Sequence, residues 1–220
     1  MSVEGGLLSG AIEDAQGRLN LNAILTEPQP LGRLFDRLGL SPELLAALGD
    51  AADTDSETRF PGGAEDQYYL AAEPPRRAAN GALVVKEDLL SIRGFDAFVL
   101  KRLQDSVVVL PAGSGQANIN TASDEVLMAV IPGLAPAQAA ALRRDVEQTP
   151  VRVVSDVIER LRKVGWSGEG APPLGVSSRY FFVRGEVRWG EASARMRVAV
   201  ERMGAGTAPR ILWKKMEVLE

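Results

Sequence analysis

The sequence predicts an α+β protein in which both ends of the chain build one antiparallel β-sheet and a large helical segment is inserted between them. Three observations carry that prediction. Strand-like alternation is confined to the opening residues and to the stretch after Gly175; apolar spacing of three and four residues fills the middle; prolines and glycines mark both changes. With 220 residues, 45% apolar and 25% charged, the chain can bury a substantial core as one large domain or two small ones.

Residues Leu7 to Ile24 combine an extended run, an Asp-Ala-Gln-Gly turn at 14–17, and Leu19, Leu21 and Ala23 alternating with polar residues. They read as a β-hairpin, closed by Pro28 and Pro30. Leu31, Leu34, Phe35 and Leu38, then Leu44, Leu45 and Leu48, predict two short helices, the second opened by Ser41-Pro42. A further helical segment spans Lys86 to Leu103. The stretch around Asn118 to Arg144, ANINTASDEVLMAVIPGLAPAQAAALRR, is a helical hairpin turning at Pro132-Gly133. Superposing Gly94 on Gly133 suggests two hairpins of one kind, about 86–110 and 118–165. Val154, Val157, Ile158 and Leu161 share a helix face that stops at Gly165. After the connector GWSGEGAPPLG, SRYFFVRGEVRW, ASARMRVAVER and RILWKKMEV alternate as three antiparallel strands. The expected domains are therefore 1–30 with 174–220, forming the sheet, and 31–173, forming the helical insert.

Histidine and cysteine are both absent, which removes Ser-His and Cys-His nucleophiles, imidazole bases and structural zinc sites. An enzyme is not expected; a glycosidase built on two carboxylates is the residual enzymatic alternative. A net charge of −4 disfavours nucleic acid. The main alternative function is that of a helix-hairpin-helix DNA-binding protein. Against it, acidic and basic residues balance over 118–165, Ala135 stands where a phosphate-binding loop needs a second glycine, and Asp96 takes the corresponding place in the other hairpin. No run approaches the ~20 apolar residues that cross a bilayer.

Between Glu43 and Glu73 the acidic residues are joined by a single base, Arg59. Asp53 and Asp55, followed by Glu65 and Asp66 across a glycine turn, admit two readings: a solvated acidic loop, or a calcium site in which carboxylates converge on a cation that takes six to eight oxygens. An EF-hand is excluded, because Thr58 occupies the position that such a loop gives to glycine.

The order of motifs IEDAQGRLNLNAI, an Asp-x-Asp loop ending GGAEDQYY, NGALVVKEDLLSIRGF, VVLPAGSGQANINTAS and a tail with RILWKKME resembles the K proteins of type II secretion systems, a minor pseudopilin family. The resemblance implies a pilin-like sheet domain with a helical insert of SAM-like or helix-hairpin-helix-like units. It implies a non-enzymatic protein that caps the tip of the periplasmic pseudopilus and helps to initiate its assembly, with the I and J minor pseudopilins as partners. It implies calcium held in the insert, with Asp53, Asp55, Glu65 and Asp66 at the matching acidic positions. The expected location is the periplasm, as a domain of an inner-membrane-anchored bacterial protein, with the membrane reached only through an N-terminal helix absent from this chain.

Overall fold

The structure, a computed structural model, describes residues 2–3, 6–190 and 192–219. In chain order it opens with β1 (Ser2–Val3), β2 (Gly6–Asp14) and β3 (Leu19–Asn20). The helices α1 (Pro28–Arg37), α2 (Glu43–Ala52), α3 (Asp66–Leu70) and α4 (Ala97–Leu103) follow, with a 3-10 turn at Lys86–Ser91. Then come β4 (Val107–Val108), β5 (Ala117–Asn118), α5 (Asp124–Val130), α6 (Pro136–Gln148) and α7 (Asp156–Lys163). The chain closes with β6 (Leu174–Gly175), β7 (Tyr180–Trp189), β8 (Ala192–Glu201) and β9 (Arg210–Leu219). Two compact units result: Met1–Gln16 with Ser177–Glu220, and Gly17–Val176.

The first unit is a five-stranded sheet in the order β1-β2-β7-β8-β9, every neighbour antiparallel. The three C-terminal strands pair as their alternation predicts. Register assigns the two faces, because side chains alternate along a strand. Ile12 lies opposite Val183 and Leu8 opposite Val187, while Val183 faces Val198 and Met196 faces Met216, so one face is apolar. The other carries charge. Glu13 pairs with Arg184, and Glu186 pairs with Arg188 at 2.8 Å and Arg195 at 3.1 Å.

The N-terminal hairpin is not formed. Strand β2 pairs with β7, and Leu19–Asn20 pairs instead, in parallel, with Val107–Val108. The predicted turn is captured by the strand that follows the helical segment. Ala15 donates its N–H to the Tyr180 carbonyl (3.0 Å), and Gln16 Oε1 accepts from the N–H groups of Arg179 (2.6 Å) and Tyr180 (3.2 Å). Long-range partners for these backbone groups outweigh a local reversal, and Gly17 onward belongs to the second unit.

The second unit packs α1 against α5 and α5 against α6. Leu31, Leu34 and Phe35 of α1 and Val126, Leu127 and Val130 of α5 are buried in one core with Leu142 of α6 and Leu161 of α7. Ser123 caps α5 by accepting from the Val126 N–H (3.3 Å), and Asp96 caps α4 through the Val99 N–H (2.8 Å). Arg33 of α1 satisfies two carbonyls at the end of α5, donating to Ala129 (2.6 Å) and Val130 (3.3 Å). The hairpin at Gly133 has a nearer internal counterpart than Gly94. GLSPELLAAL at 39–48 matches GLAPAQAAAL at 133–142, each glycine has positive φ (62° and 73°), and the helices that precede them, α1 and α5, pack together. The Lys86–Leu103 segment is instead a 3-10 turn and the seven-residue α4, hinged at Gly94 with φ 81°.

Strands of two residues leave many backbone groups to be satisfied by other means, and asparagines do so. Asn22, 7% exposed, donates through Nδ2 to the carbonyls of Leu83 and Leu110 (both 2.9 Å) and accepts from the Leu83 N–H (2.9 Å). Asn20 accepts from the Leu110 N–H (3.0 Å) and donates to the Pro111 carbonyl (3.1 Å). Asn120 donates to the carbonyls of Val151 (2.9 Å) and Val176 (3.1 Å) and accepts from the Val151 N–H (2.7 Å).

Asn22→Ala strands one buried and two half-buried backbone groups and lowers the unfolding free energy by about 2 kcal/mol in urea titration, whereas surface Asn→Ala changes cost a few tenths. A second expectation concerns Asp145, whose carboxylate links α6 to α7 through Lys163 (2.5 Å) and Arg160. Lys163 first, and then Arg160, hold its pKa below the ordinary 3.8. A depressed carboxyl pKa stabilises the fold above the unfolded value, and that stabilisation is lost as pH falls through the folded value. Asp145→Asn therefore costs about 1.5 kcal/mol at neutral pH. The gap to the parent closes in urea titrations taken down through that acid range.

Candidate metal centre

The acidic segment folds back on itself between α2 and the segment that leads to the 3-10 turn. Helix α2 ends as Asp53 turns to extended backbone, its N–H on the Gly49 carbonyl (3.0 Å). Asp55 Oδ1 then accepts the Glu57 N–H (2.8 Å) and tightens the loop. The return passes Gly62, with φ 97°, where any Cβ would press on Glu43, and Gly63, where it would collide with Asp50 Oδ2 and the Arg59 carbonyl. Glu65 follows as the residue preceding α3, its carbonyl accepting from the N–H groups of Tyr68 (2.8 Å) and Tyr69 (3.2 Å). Behind it Tyr69 is buried, its hydroxyl accepting from the Arg93 N–H (3.1 Å), while Arg93 Nη1 donates to the Gly63 carbonyl (3.0 Å).

This folding brings together three of the four residues singled out as calcium ligands. One carboxylate oxygen from each of Asp53, Asp55 and Glu65 lies within 4.8 Å of the others. Asp66 is placed beside the group. It accepts from the Ala78 N–H (2.9 Å) and faces Arg77 at 3.6 Å, so it holds the segment that carries Asn80. Asn80 has φ 42°, donates Nδ2 to the Asp55 carbonyl (2.8 Å), and is followed by Gly81, whose N–H reaches the Ala51 carbonyl (2.9 Å).

Asp53 Oδ1, both oxygens of Glu65 and Asn80 Oδ1 are buried without a well-formed hydrogen bond, although the Asn80 side chain lies close enough to Glu65 to offset part of the rise in its pKa. Glu65 is 4% exposed. A buried carboxylate without donors is costly. Burial first, and then the charges of Asp50, Asp53 and Asp55, push the Glu65 pKa above its ordinary 4.5. Three carboxylates and an amide oxygen form a donor set suited to a hard divalent cation, which would satisfy these oxygens at once.

Nothing in the sequence singles out Asn80 or names Arg59 as the partner of Asp50, although Asp50 itself reads as a local cap or salt-bridge residue. Asp50 is fully buried. It accepts the Arg59 N–H on both oxygens (3.2 Å each) and Arg59 Nη1 on Oδ1 (3.0 Å), and the same Nη1 bonds Asp53 Oδ2. Arg59 stood out in the sequence as the lone base of the segment. Asn80 carried only the signal of an Asn-Gly turn.

The Gly133 hairpin is closed by its own side chains. Gln138 Oε1 accepts the Ala135 N–H (2.9 Å), Gln138 Nε2 donates to the Gly165 carbonyl (2.8 Å), and Trp166 Nε1 donates to the Pro132 carbonyl (3.0 Å). It is a packing unit, and nothing supports the DNA-binding alternative.

The chain thus has a mixed fold with an antiparallel sheet and a cluster of three carboxylates at the end of α2 and before α3. Comparison with known proteins narrows the class. Residues 17–112 and 117–176 match the two parts of the family described as type II secretion system protein K. The chain is 30% identical to type II secretion system protein K of Pectobacterium carotovorum subsp. carotovorum over 92% of its length and 68% of that protein. It is 31% identical to that of Pseudomonas aeruginosa over 94% of its length and 68% of that protein. Its fold is similar to the crystal structure of the GspK-GspI-GspJ complex of the enterotoxigenic Escherichia coli type 2 secretion system. The TM-score is 0.76 and the identity 26%, with 99% of this chain and 82% of that chain covered. The chain belongs to the type II secretion system protein K family, and is a minor pseudopilin of that system. No described helix is long and apolar enough to cross a membrane.

Glu65→Gln removes a buried like charge and supplies an amide that can donate to Asp53 Oδ1. In chelator it raises the melting temperature by about 2–4 °C at neutral pH. A raised carboxyl pKa costs stability above the folded value, and that cost is relieved as pH falls through it. The advantage of Glu65→Gln therefore shrinks on acidification towards the ordinary carboxylate range, as thermal melts across pH would record.

Proposed function

We propose that this chain is the periplasmic part of a minor pseudopilin that caps the tip of the type II secretion pseudopilus together with the I and J minor pseudopilins, and that it helps to initiate pseudopilus assembly. The observation that carries the partner reading is the fold-level match, over 99% of this chain, to a chain of a GspK-GspI-GspJ complex, taken with membership of the protein K family. The helical unit Gly17–Val176 is spliced between β2 and β7, which are neighbours in the sheet. An insertion of that size is what the capping role calls for, since it would obstruct the addition of a further subunit above it. The unit is read as a pair of SAM-like hairpins, supported by the duplicated Gly-Leu-x-Pro turns at 39–42 and 133–136.

The sheet unit is read as pilin-like, with its apolar face as the seat of the membrane-anchoring N-terminal helix that the family resemblance implies. Ile12 is 73% exposed, Trp189 60%, Ile211 60% and Met216 66%, a density of apolar surface that marks a docking face. Calcium is read into the acidic cluster, with Asp53, Asp55 and Glu65 as ligands. Asn80 Oδ1 is an added oxygen, and Asp66 holds the segment that presents it. The convergence of the buried Glu65 carboxylate with Asp53 and Asp55 supports this assignment.

Co-expression with the I and J proteins of the same secretion system yields a three-protein complex on size exclusion; separate elution of all three would refute the partner reading. Calcium raises the melting temperature of the isolated chain, because a ligand bound only by the native state stabilises it. Asp53→Asn and Asp55→Asn each abolish that rise, and its persistence in both variants would refute the ligand assignment.

A further inference from the structure

The guanidinium of Arg59 lies on the carboxylates that border the cation cluster. One nitrogen, Nη1, bridges Asp50 Oδ1 (3.0 Å) and Asp53 Oδ2, and the backbone N–H of the same residue adds two bonds of 3.2 Å to Asp50. Asp53 is thus divided: Oδ2 serves Arg59, while Oδ1 is buried and without a donor. The fold makes room for this arrangement. A Cβ on Gly49 would stand 3.0 Å from Arg59 Cδ and Nε, and one on Gly63 would meet Asp50 Oδ2. Of the four carboxylates in this neighbourhood, Asp50, Asp53, Asp55 and Glu65, Asp50 and Asp53 bond the Arg59 guanidinium, while the nearby Arg93 guanidinium is engaged by the Gly63 carbonyl.

We propose that Arg59 is the built-in counter-cation of the acidic cluster, which weakens the cluster's affinity for a divalent cation and keeps the loop folded when no cation is bound. The proposal rests on the calcium reading above. Its sign follows from charge. Among the described residues, Arg59 is the positive group bonded to Asp50 and Asp53, and its charge relieves the repulsion among the four carboxylates. A divalent ion beside Asp53 Oδ1 neutralises the same carboxylates and repels the guanidinium across one carboxylate group. Arg59 therefore favours the cation-free protein over the loaded one, and linkage requires that removing it favours the loaded one by the same factor. Affinity for calcium is set by ligand charge and site rigidity across many orders of magnitude. A fixed internal cation moves that setting towards the weak, high-concentration end. Arg59 is a positioning residue here and not a ligand.

Isothermal titration with calcium chloride and thermal melts in chelator, on the parent chain, Arg59→Gln and Arg59→Lys, test the proposal. Arg59→Gln is expected to bind calcium about tenfold more tightly and to melt at a lower temperature than the parent in chelator, while Arg59→Lys, which keeps the charge, stays within about threefold of the parent affinity. Equal or weaker calcium binding by Arg59→Gln overturns the proposal. If the parent binds no calcium and Arg59→Gln does, the counter-cation role stands and the calcium reading fails for the natural chain. If neither binds, both are overturned. Should Arg59→Gln lose its helical circular dichroism in chelator, its recovery on adding calcium supports the proposal and its failure to recover overturns it.

Discussion

Asparagine amides, Asn22 buried and Asn20 and Asn120 half-buried, hold the helical unit of this protein together, because its regular elements are too short to satisfy their own backbone. The strands of that unit, β3 to β6, have two residues each, and the longest helix has thirteen. A chain so broken must find partners elsewhere for its buried N–H and C=O groups. Asn20 and Asn22 find them across separations of 61 to 91 residues, and Asn120 across 31 and 56. Each side chain offers an acceptor and two donors, and so can stand in for a stretch of ladder. Asn22 also connects the core to the acidic cluster, since Leu83, which it grips on both backbone groups, lies three residues beyond Asn80.

The same economy appears twice. Asn20-Leu21-Asn22 precedes the helix pair turning at Gly39, and Asn118-Ile119-Asn120 precedes the pair turning at Gly133. Each motif begins in a short parallel pairing with a distant strand, Val107–Val108 in one case and Leu174–Gly175 in the other. The two family segments, 17–112 and 117–176, fall on these two halves. The halves then diverge. The first carries the acidic loop, while the second is closed by Gln138 and Trp166 and by the Asp145 clamp between α6 and α7.

Electrostatics divide the acidic loop into a satisfied part and an unsatisfied part. Asp50, fully buried, is matched by Arg59, whose pKa is raised first by Asp53 and also by Asp50. Glu65, nearly as buried, has no such partner, and burial with like charge raises its pKa. Both carboxylates are held by backbone geometry that admits no Cβ at Gly63 and a left-handed turn at Gly62. A cluster that is half paired and half open is suited to exchange one positive charge for another.

The sequence by itself determined the mixed class, the three C-terminal strands, the short helices around Gly39 and Gly133, the absence of imidazole and thiol chemistry, and the acidic loop with Asp53, Asp55 and Glu65. Those features follow from local periodicity, turn chemistry and composition, which neighbouring residues encode. Tertiary structure alone decided that Leu7–Asp14 pairs with β7 and not with Leu19–Ile24, since Gln16 and Ala15 find their partners at 179–180. It alone placed Asn80 against Asp55, Arg59 between Asp50 and Asp53, and Asp66 on Ala78. In each case the deciding group is a polar atom whose partner lies six to more than a hundred residues away, a distance at which no local pattern carries information.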